Sequence, residues 1–215
     1  PMLLASNHPG AYDMLCLGET PARKDLNVIA SEIPFYKKLH NIYRSIIGVT
    51  TDPVQRFSAM RKGISHLKSG GSMLLFPGGQ IEADPQCEPG ATQAINEWKP
   101  SLEIFLRKAP DTQLVLAVVS GVLEREFRVS PVTWFRKLAK DKRRLAEFAQ
   151  VARMMLRGEP PAQTVHISFA KPIRLAELLA RYPNAEINEA IQRYQIENLK
   201  SHLSWLNAKG IESFA

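Results

Sequence analysis

The stretch that decides the fold is MLLASNHPGAYDMLCL, residues 2–17. Its first part, Met2–Ser6, is a short aliphatic run with the length of a buried strand, and Met14–Leu17 continues as the apolar start of a helix. Pro9 suits the first position of that helix, because the N–H that proline lacks would be unpaired there. His8 then lies where the strand meets the helix. A strand that leads directly into a helix is the unit from which α/β sheets are built.

The same alternation continues along the rest of the chain. The further runs are short and aliphatic, as expected for strands covered by helices on both faces, and the run at Ile46 is the weakest. These predicted strands are Asn27–Ser31, Ile46–Thr50, Ser72–Phe76, Leu114–Ser120 and Thr164–Phe169. We therefore predict an α/β protein with a mixed, largely parallel central sheet covered by helices.

Three helices have recognisable patterns. The first is capped by Asp52, begins at Pro53 and ends at the Gly70–Gly71 pair. Its apolar residues recur every three or four positions, which predicts one buried face. That face comprises Phe57, Met60, Ile64 and Leu67. The second helix is predicted over Asp141–Leu156, with a buried stripe of Leu145, Phe148, Ala152 and Met155, and the third over Ile187–Leu206.

Composition excludes several classes of protein. The chain has 215 residues, 45% of them hydrophobic and 23% charged, which suits a single globular domain over residues 1–215. Cys16 and Cys87 cannot build a disulfide framework and form no CxxC pair, so we expect no metal and a reducing, cytoplasmic compartment. No apolar run reaches the roughly 18 residues of a membrane span. A missing N-terminal segment, with or without a membrane anchor, remains open.

The net charge of +7 lies entirely in one segment. Between Arg125 and Arg157 there are 10 basic and 3 acidic residues, whereas the remainder has 18 of each. Trp134 and Phe135 stand beside these cations, which suits anionic lipid headgroups, so we expect a peripheral membrane surface formed by residues 132–157. A solvated amphipathic helix and attraction of the phosphates of coenzyme A or of an acidic carrier protein are the alternatives. Nucleic acid is not expected as a partner, because no binding motif accompanies the charge.

His8 and Asp13 form the first candidate site. Five residues of helix rotate by about 500°, which would separate the two side chains, but a His8 outside the helix can fold back over the first turn. Contact with Asp13 would fix the tautomer of the ring and stabilise the imidazolium. The free ring nitrogen could then take a proton from a hydroxyl or a thiol. The alternative is that His8 merely caps the helix while Asp13 is solvated.

The second candidate site is Phe76-Pro77-Gly78-Gly79-Gln80, at the end of a predicted strand. A Pro-Gly-Gly turn exposes backbone N–H groups that can hold a phosphate or carbonyl oxygen. An ordinary tight turn would have the same sequence. The turn opens the long loop Pro77–Pro89, which we predict to be polar and exposed.

These two segments together resemble the glycerol-phosphate and lysophospholipid acyltransferase family. His8–Asp13 is similar to its His-x4-Asp block, and Phe76–Gly79 to its Phe-Pro-Glu-Gly block, about 70 residues further on. Two fainter similarities lie at Gly48–Arg56 and Val115–Gly121. The resemblance covers about Met2–Val122. This leaves a motif-bearing part, 1–122, and a basic helical and C-terminal part, 123–215.

The resemblance implies a glycerolipid-acyltransferase-like fold and a reaction. An acyl group would pass from acyl-CoA or acyl carrier protein to a hydroxyl of glycerol 3-phosphate, lysophosphatidic acid or a related acceptor. His8 would be the general base and Asp13 would orient it, with the acyl thioester as co-substrate and no further cofactor or metal. Arg56, with Arg61 next, would contact the acceptor phosphate, and Phe76–Gln80 would line the substrate site. Backbone N–H groups at Gly78–Gly79 or at the helix start would stabilise the oxyanion.

Departures from the family pattern leave alternatives open. Gly78 stands where the family has Glu, Ile81 where it often has Arg, and Ala117 where it has Pro. Glu82 or Asp84 could supply the missing carboxylate, or both could be solvated. A lipid- or membrane-binding homologue with weak or no turnover is therefore the alternative function. Cys16 as an acyl-bearing nucleophile is a competing chemistry, and we predict structural roles for the other histidines considered, which are His40, His66 and His166.

Overall fold

The computed structural model describes residues 1–10, 12–20, 23–31, 43–50, 52–130, 138–158 and 160–215, which form six strands and eight helices. The strands are β1 (Met2–Ser6), β2 (Leu26–Ser31), β3 (Ile46–Val49), β4 (Ser72–Leu75), β5 (Gln113–Ser120) and β6 (His166–Phe169). The helices are α1 (Asp13–Glu19), α2 (Pro53–Lys68), α3 (Ala91–Asn96), α4 (Ser101–Lys108), α5 (Arg125–Arg128), α6 (Ala139–Arg157), α7 (Leu175–Arg181) and α8 (Ile187–Ala208). His40 and the aromatic pair Trp134 and Phe135 lie outside the described residues.

The strands form one sheet in the order β3-β2-β4-β1-β5-β6. All neighbours are parallel except β5 and β6, so the prediction of a mixed, largely parallel α/β sheet is confirmed. Ala5 is in register with Leu75, so β1 and β4 end side by side. The loops after these two central strands therefore start next to each other at the carboxyl edge of the sheet, where open α/β sheets place their ligands.

Alternate residues of the central strands pack into two apolar layers. Leu3 and Met73 face one layer with α2, α3, α4 and α8, whereas Leu4 and Leu74 face the other with Leu17 of α1. Burial on both faces explains why these strands are continuously aliphatic rather than alternating. Among the described residues, no helix has both the length and the apolar character needed to cross a membrane.

Helix α2 begins as predicted, and Met60, Ile64 and Leu67 of its predicted face pack against the core, but its most buried side is turned away from Phe57. Asp52 Oδ1 accepts a hydrogen bond from the N–H of Val54 (3.0 Å), with Pro53 as the first helical residue. The buried residues are Ala59, Gly63 and Leu67, whereas Phe57 is 67% exposed, so its predicted burial is wrong. Gly63 contributes to this close packing: a Cβ there would lie 2.7 Å from Met73 Cε and 2.9 Å from Phe105 Cε1, so a larger residue would displace these core side chains.

Helix α6 buries a different face from the one predicted. Its buried residues are Ala146 and Gln150, and the predicted stripe member Phe148 is 71% exposed. The Gln150 side chain donates to the carbonyl of Val122 (2.7 Å) and accepts from the N–H of Glu124 (2.8 Å). These two buried bonds hold the helix in this rotation, because breaking them would leave the N–H of Glu124 unpaired.

Candidate active site

His8 and Asp13 are in contact. His8 Nδ1–H donates to Asp13 Oδ2 over 2.8 Å, and the backbone N–H of Gly10 donates to the same oxygen over 3.2 Å. The Asp13 side chain is completely buried, whereas that of His8 is 27% exposed. The bond at Nδ1 leaves Nε2 as the ring nitrogen without a described partner. The prediction that the ring folds back onto Asp13 is therefore confirmed.

The loop that makes this contact is longer than predicted. Helix α1 begins at Asp13, not at Pro9. Residues before it turn tightly against the segment after β5: the Tyr12 hydroxyl donates to the Val122 carbonyl (2.6 Å), and a Cβ on Gly10 would lie 2.7 Å from Val122 Cγ1. This anchoring, together with Asp13 at the first helical position, brings the carboxylate under the His8 ring.

The second loop packs directly against His8. The Phe76 ring stacks on the imidazole, with ring centroids 4.5 Å apart and planes 28° from parallel. The N–H of Glu82 donates to the His8 carbonyl (2.8 Å), which joins the two loops through the backbone. Burial lowers the pKa of His8, but attraction and hydrogen bonding to Asp13, with smaller contributions from Glu147 and Glu82, outweigh burial and raise that pKa above its ordinary value.

The Pro77–Gly79 turn exposes one backbone donor. Gly79 has φ +67°, which favours glycine, and its N–H already donates to the Phe76 carbonyl (3.1 Å). The N–H of Gly78 has no acceptor among the described residues and is therefore the remaining donor of the predicted pair. A Cβ on Gly78 would lie only 1.9 Å from Glu82 Oε1, so the Glu82 carboxylate occupies the space of a side chain at position 78.

Glu82 is buried rather than solvated. Its side chain lies within a loop that is buried from residue 82 to residue 87, which corrects the prediction of an exposed polar loop. Oε1 accepts a hydrogen bond from the indole Nε1–H of Trp98 (3.0 Å), while Oε2 is buried and has no partner among the residues that the structure describes. Burial raises the pKa of Glu82 to about 7, although Trp98 and His8 act in the opposite direction.

Asp84 is also buried, but it has a structural role. Its two carboxylate oxygens accept four backbone N–H bonds of 2.7–3.0 Å, which come from Gln86, Gly121, Val122 and Leu123. Asp84 therefore ties the loop after β4 to the segment after β5. Since both oxygens are fully occupied, Asp84 has no free acceptor for a substrate.

Two adjoining cavities open at this edge of the sheet. The smaller, of about 430 Å³, contains His8 together with Met14, Gln80 and Ile81. The larger, of about 690 Å³, contains Arg56, Lys99, Pro77 and a mainly apolar wall. The two cavities share a wall formed by Ile29, Ala30, Ser31, Phe76 and Gly79.

The structure thus brings most of the predicted site residues together. Asp13 lies behind His8 rather than in the cavity, and Gly78 lines neither cavity. Arg56 lines the larger cavity and not the one that contains His8; Arg61 lines neither.

Helix α6 supplies two cavity residues that the sequence did not indicate as parts of the site. Arg144 and Glu147 line the His8 cavity, although both belong to the basic segment, which the sequence placed apart from the catalytic part. Burial raises the pKa of Glu147 to about 7, while attraction to His8 and Arg144 lowers it. No spacing rule could have identified this pair, because only the packing of α6 against Tyr12 and the segment after β5 brings them to His8.

The remaining candidates have structural positions. Burial raises the pKa of the Cys16 thiol, which disfavours the thiolate that a nucleophile needs. His66 Nε2 contacts the carbonyls of Asp25 and Ser72, and His166 Nδ1 contacts the amide of Gln86 (2.9 Å). His202, which the sequence did not single out, is buried between Ser120 and Ser168, and burial lowers its pKa to about 4. Within the described residues, no group of His, Cys, Asp and Glu side chains could hold a metal ion.

The arrangement as a whole can move a proton at a cavity wall. A histidine with one nitrogen bonded to a buried carboxylate has its other nitrogen available as a base. The adjoining apolar cavity can hold a chain, and its two cations can meet an anionic group. No protein-family model, curated protein or solved structure matches this chain.

Proposed function

We propose that this protein is an acyltransferase that moves a fatty acyl group from acyl-CoA or acyl carrier protein to a hydroxyl of a glycerolipid-type acceptor. The observation that carries the proposal is the bond between His8 Nδ1 and Asp13 Oδ2 at the wall of the smaller cavity. The Phe76–Gln80 segment beside His8 and the apolar cavity behind it add support, because an acyl thioester needs both a reacting centre and room for its chain.

The proposed reaction is a direct transfer. His8 Nε2 takes the proton of the acceptor hydroxyl while that oxygen attacks the thioester carbonyl. The tetrahedral intermediate collapses with cleavage of the C–S bond, and the leaving thiolate recovers the proton from the imidazolium. Asp13 orients the ring throughout and stabilises its charged form. The N–H of Gly78, which lies between the cavity-lining residues Pro77 and Gly79, is the candidate donor to the oxyanion.

The larger cavity fits an amphiphilic substrate. Its apolar wall includes Met60, Leu75 and Phe105, whereas Arg56 and Lys99 add positive charge. We assign the chain to the apolar wall and an anionic group, such as the phosphate of an acceptor, to the two cations. We further propose that the protein acts peripherally at the cytoplasmic face of a membrane, where such substrates are found.

A thiol-release assay tests the proposal. Long-chain acyl-CoA is mixed with glycerol 3-phosphate, a lysophospholipid or a simple alcohol, and free thiol is followed for the wild type, for His8→Asn and for Cys16→Ala. We expect acceptor-dependent release that His8→Asn abolishes and Cys16→Ala retains. Loss of release with Cys16→Ala would instead indicate an acyl-cysteine intermediate.

A wild-type protein with no release would contradict the enzyme assignment. If such a protein still bound lipid, the alternative of a lipid-binding homologue without turnover would replace it. That alternative is retained because Gly78 and Ile81 lack the side chains that the resembled family uses for its acceptor.

A further inference from the structure

Helix α6 exposes a strip of large apolar side chains. Phe148, Met155 and Leu156 are 71%, 77% and 88% exposed. Phe148 and Met155 are seven residues apart and therefore lie on one face of the helix, with the half-buried Leu145 and Ala152 beside them. We call Leu145, Phe148, Ala152, Met155 and Leu156 the α6 strip. Contiguous exposed apolar surface of this kind marks a contact site on an otherwise polar protein.

Positive charge accompanies this strip. Six of the 19 residues of α6 are Lys or Arg and two are acidic. Arg143 and Arg153 are paired with Glu88 and Glu124, so these two cations hold the helix to the body of the protein. Lys142, Arg144 and Arg157, by contrast, make no ion pair with any residue that the structure describes. Around the helix, Lys142 and Arg144 lie at the two edges of the strip, whereas Arg157 lies on the opposite side from Phe148. An apolar strip edged by unpaired cations complements the interface of an anionic bilayer.

The same helix also forms a wall of the His8 cavity. Arg144 lines this cavity with Glu147 on one side. On the other side it lines a shallow hollow of about 300 Å³ with Asp141, Leu145 and Phe148. The α6 strip and the His8 cavity therefore meet at Arg144, and a surface that covered the strip would adjoin the cavity.

We infer that the α6 strip lies in the interface of an anionic phospholipid bilayer and places the His8 cavity beside the lipid from which its substrate enters. The docking follows from the strip and its charges alone, and the entry of substrate rests on the proposed acyl transfer. The sequence placed the membrane surface over residues 132–157 but with Phe148 and Met155 facing inward. In the structure these two side chains face outward instead and form the apolar part of that surface.

Vesicle cosedimentation tests the docking. The intact protein is mixed with vesicles of phosphatidylglycerol and phosphatidylcholine in equal parts, or of phosphatidylcholine alone. We expect binding that requires the anionic lipid and that Phe148→Ser/Met155→Ser weakens about tenfold or more, because two apolar side chains leave the interface. Lys142→Gln should weaken it about fivefold, the effect of one cation near such a surface. Phe169→Ser, an exposed apolar residue on β6, is the matched control and should bind as the wild type does.

The outcomes separate the docking from the chemistry. Both exchanged residues of α6 are exposed, so the double variant should retain the thermal unfolding midpoint of the wild type. Unchanged vesicle binding by a folded double variant would overturn the inference. A change in oligomeric state on light scattering, without a change in vesicle binding, would also overturn it by showing contact between copies. Vesicle binding without thiol release would support the docking and contradict the proposed acyl transfer. Thiol release without vesicle binding would support the proposed acyl transfer and contradict the docking.

Discussion

The loops after β1 and β4 start side by side at one sheet edge, yet they use their buried carboxylates differently. In the first loop, Asp13 accepts from His8 and Gly10 through a single oxygen. In the second loop, Asp84 accepts four backbone N–H bonds, whereas Glu82 accepts only one bond, from Trp98. The number and type of donors therefore distinguish the three carboxylates. Asp13 orients a ring that can carry a proton, and Asp84 holds the backbone. Glu82 does neither, because it accepts a bond from Trp98 alone among the described residues.

Asp13→Asn should have the largest effect on activity of all the substitutions in the two loops. Asparagine keeps the size of the side chain but removes the negative charge that stabilises the His8 imidazolium and fixes its tautomer. We expect kcat/KM for acyl transfer to fall about 10²–10⁴-fold with a small change in the unfolding midpoint. Thiol release and thermal unfolding measured on one preparation check both parts. Retained activity would make Asp13 a purely structural carboxylate like Asp84.

Asp84→Asn should lower stability more than activity, the opposite of Asp13→Asn. The neutral amide oxygen can accept only two of the four backbone N–H bonds, so the other two face an NH2 donor in a buried site. The free energy of unfolding should fall by about 3–5 kcal/mol, while the remaining folded protein keeps much of its turnover. Urea unfolding measures the free energy of unfolding, and thiol release measures the turnover. A stable variant with no activity would instead place Asp84 in the chemistry.

Glu82 should make stability depend on pH. Burial raises its folded pKa to about 7, above the unfolded value near 4.5, so the folded state binds the proton more tightly. Stability from this group is therefore present at low pH and is lost as pH rises from about 4.5 through 7. Relative to Glu82→Gln, the wild type should lose on the order of 3 kcal/mol across that window.

Urea unfolding at pH 5 and pH 8 measures this difference. The exposed exchange Glu189→Gln on α8 controls for the loss of one acidic side chain elsewhere. A constant difference between the wild type and Glu82→Gln at the two pH values would show that Glu82 does not titrate in the folded protein.

Of the four substitutions, Gly78→Ala should have the smallest effect on the free energy of unfolding or on activity. The new methyl group would overlap Glu82 Oε1, and the carboxylate can move only by giving up its bond from Trp98. We expect a loss of about 1–3 kcal/mol in unfolding free energy, with a change in tryptophan fluorescence. Gly18→Ala, where a Cβ on α1 meets nothing within 4 Å, is the control and should be neutral or slightly stabilising. Equal stability of the two variants would contradict the close packing of Glu82 against position 78.

The distance along the chain between contacting residues explains what could be predicted from the sequence. All six strands and the contact between His8 and Asp13 follow from short-range patterns, since each depends on residues close together in the chain. Periodicity predicted most of the buried face of α2, apart from Phe57, but not that of α6. Gln150 of α6 bonds to the distant segment after β5, and these contacts outweigh the periodicity of the larger apolar residues Phe148 and Met155. The sequence named Glu82 as a candidate carboxylate but not its burial against Gly78, and Arg144 and Glu147 join the site by packing alone.

One measurement addresses the central claim most directly, namely that His8 is the base of a hydroxyl-directed acyl transfer. Wild type and His8→Asn are incubated with long-chain acyl-CoA and an acceptor that supports release, and free thiol and new ester are quantified together. We predict one ester per thiol for the wild type and neither above background for His8→Asn, which retains the wild-type unfolding midpoint. Ester formation by His8→Asn at the wild-type rate would contradict the account.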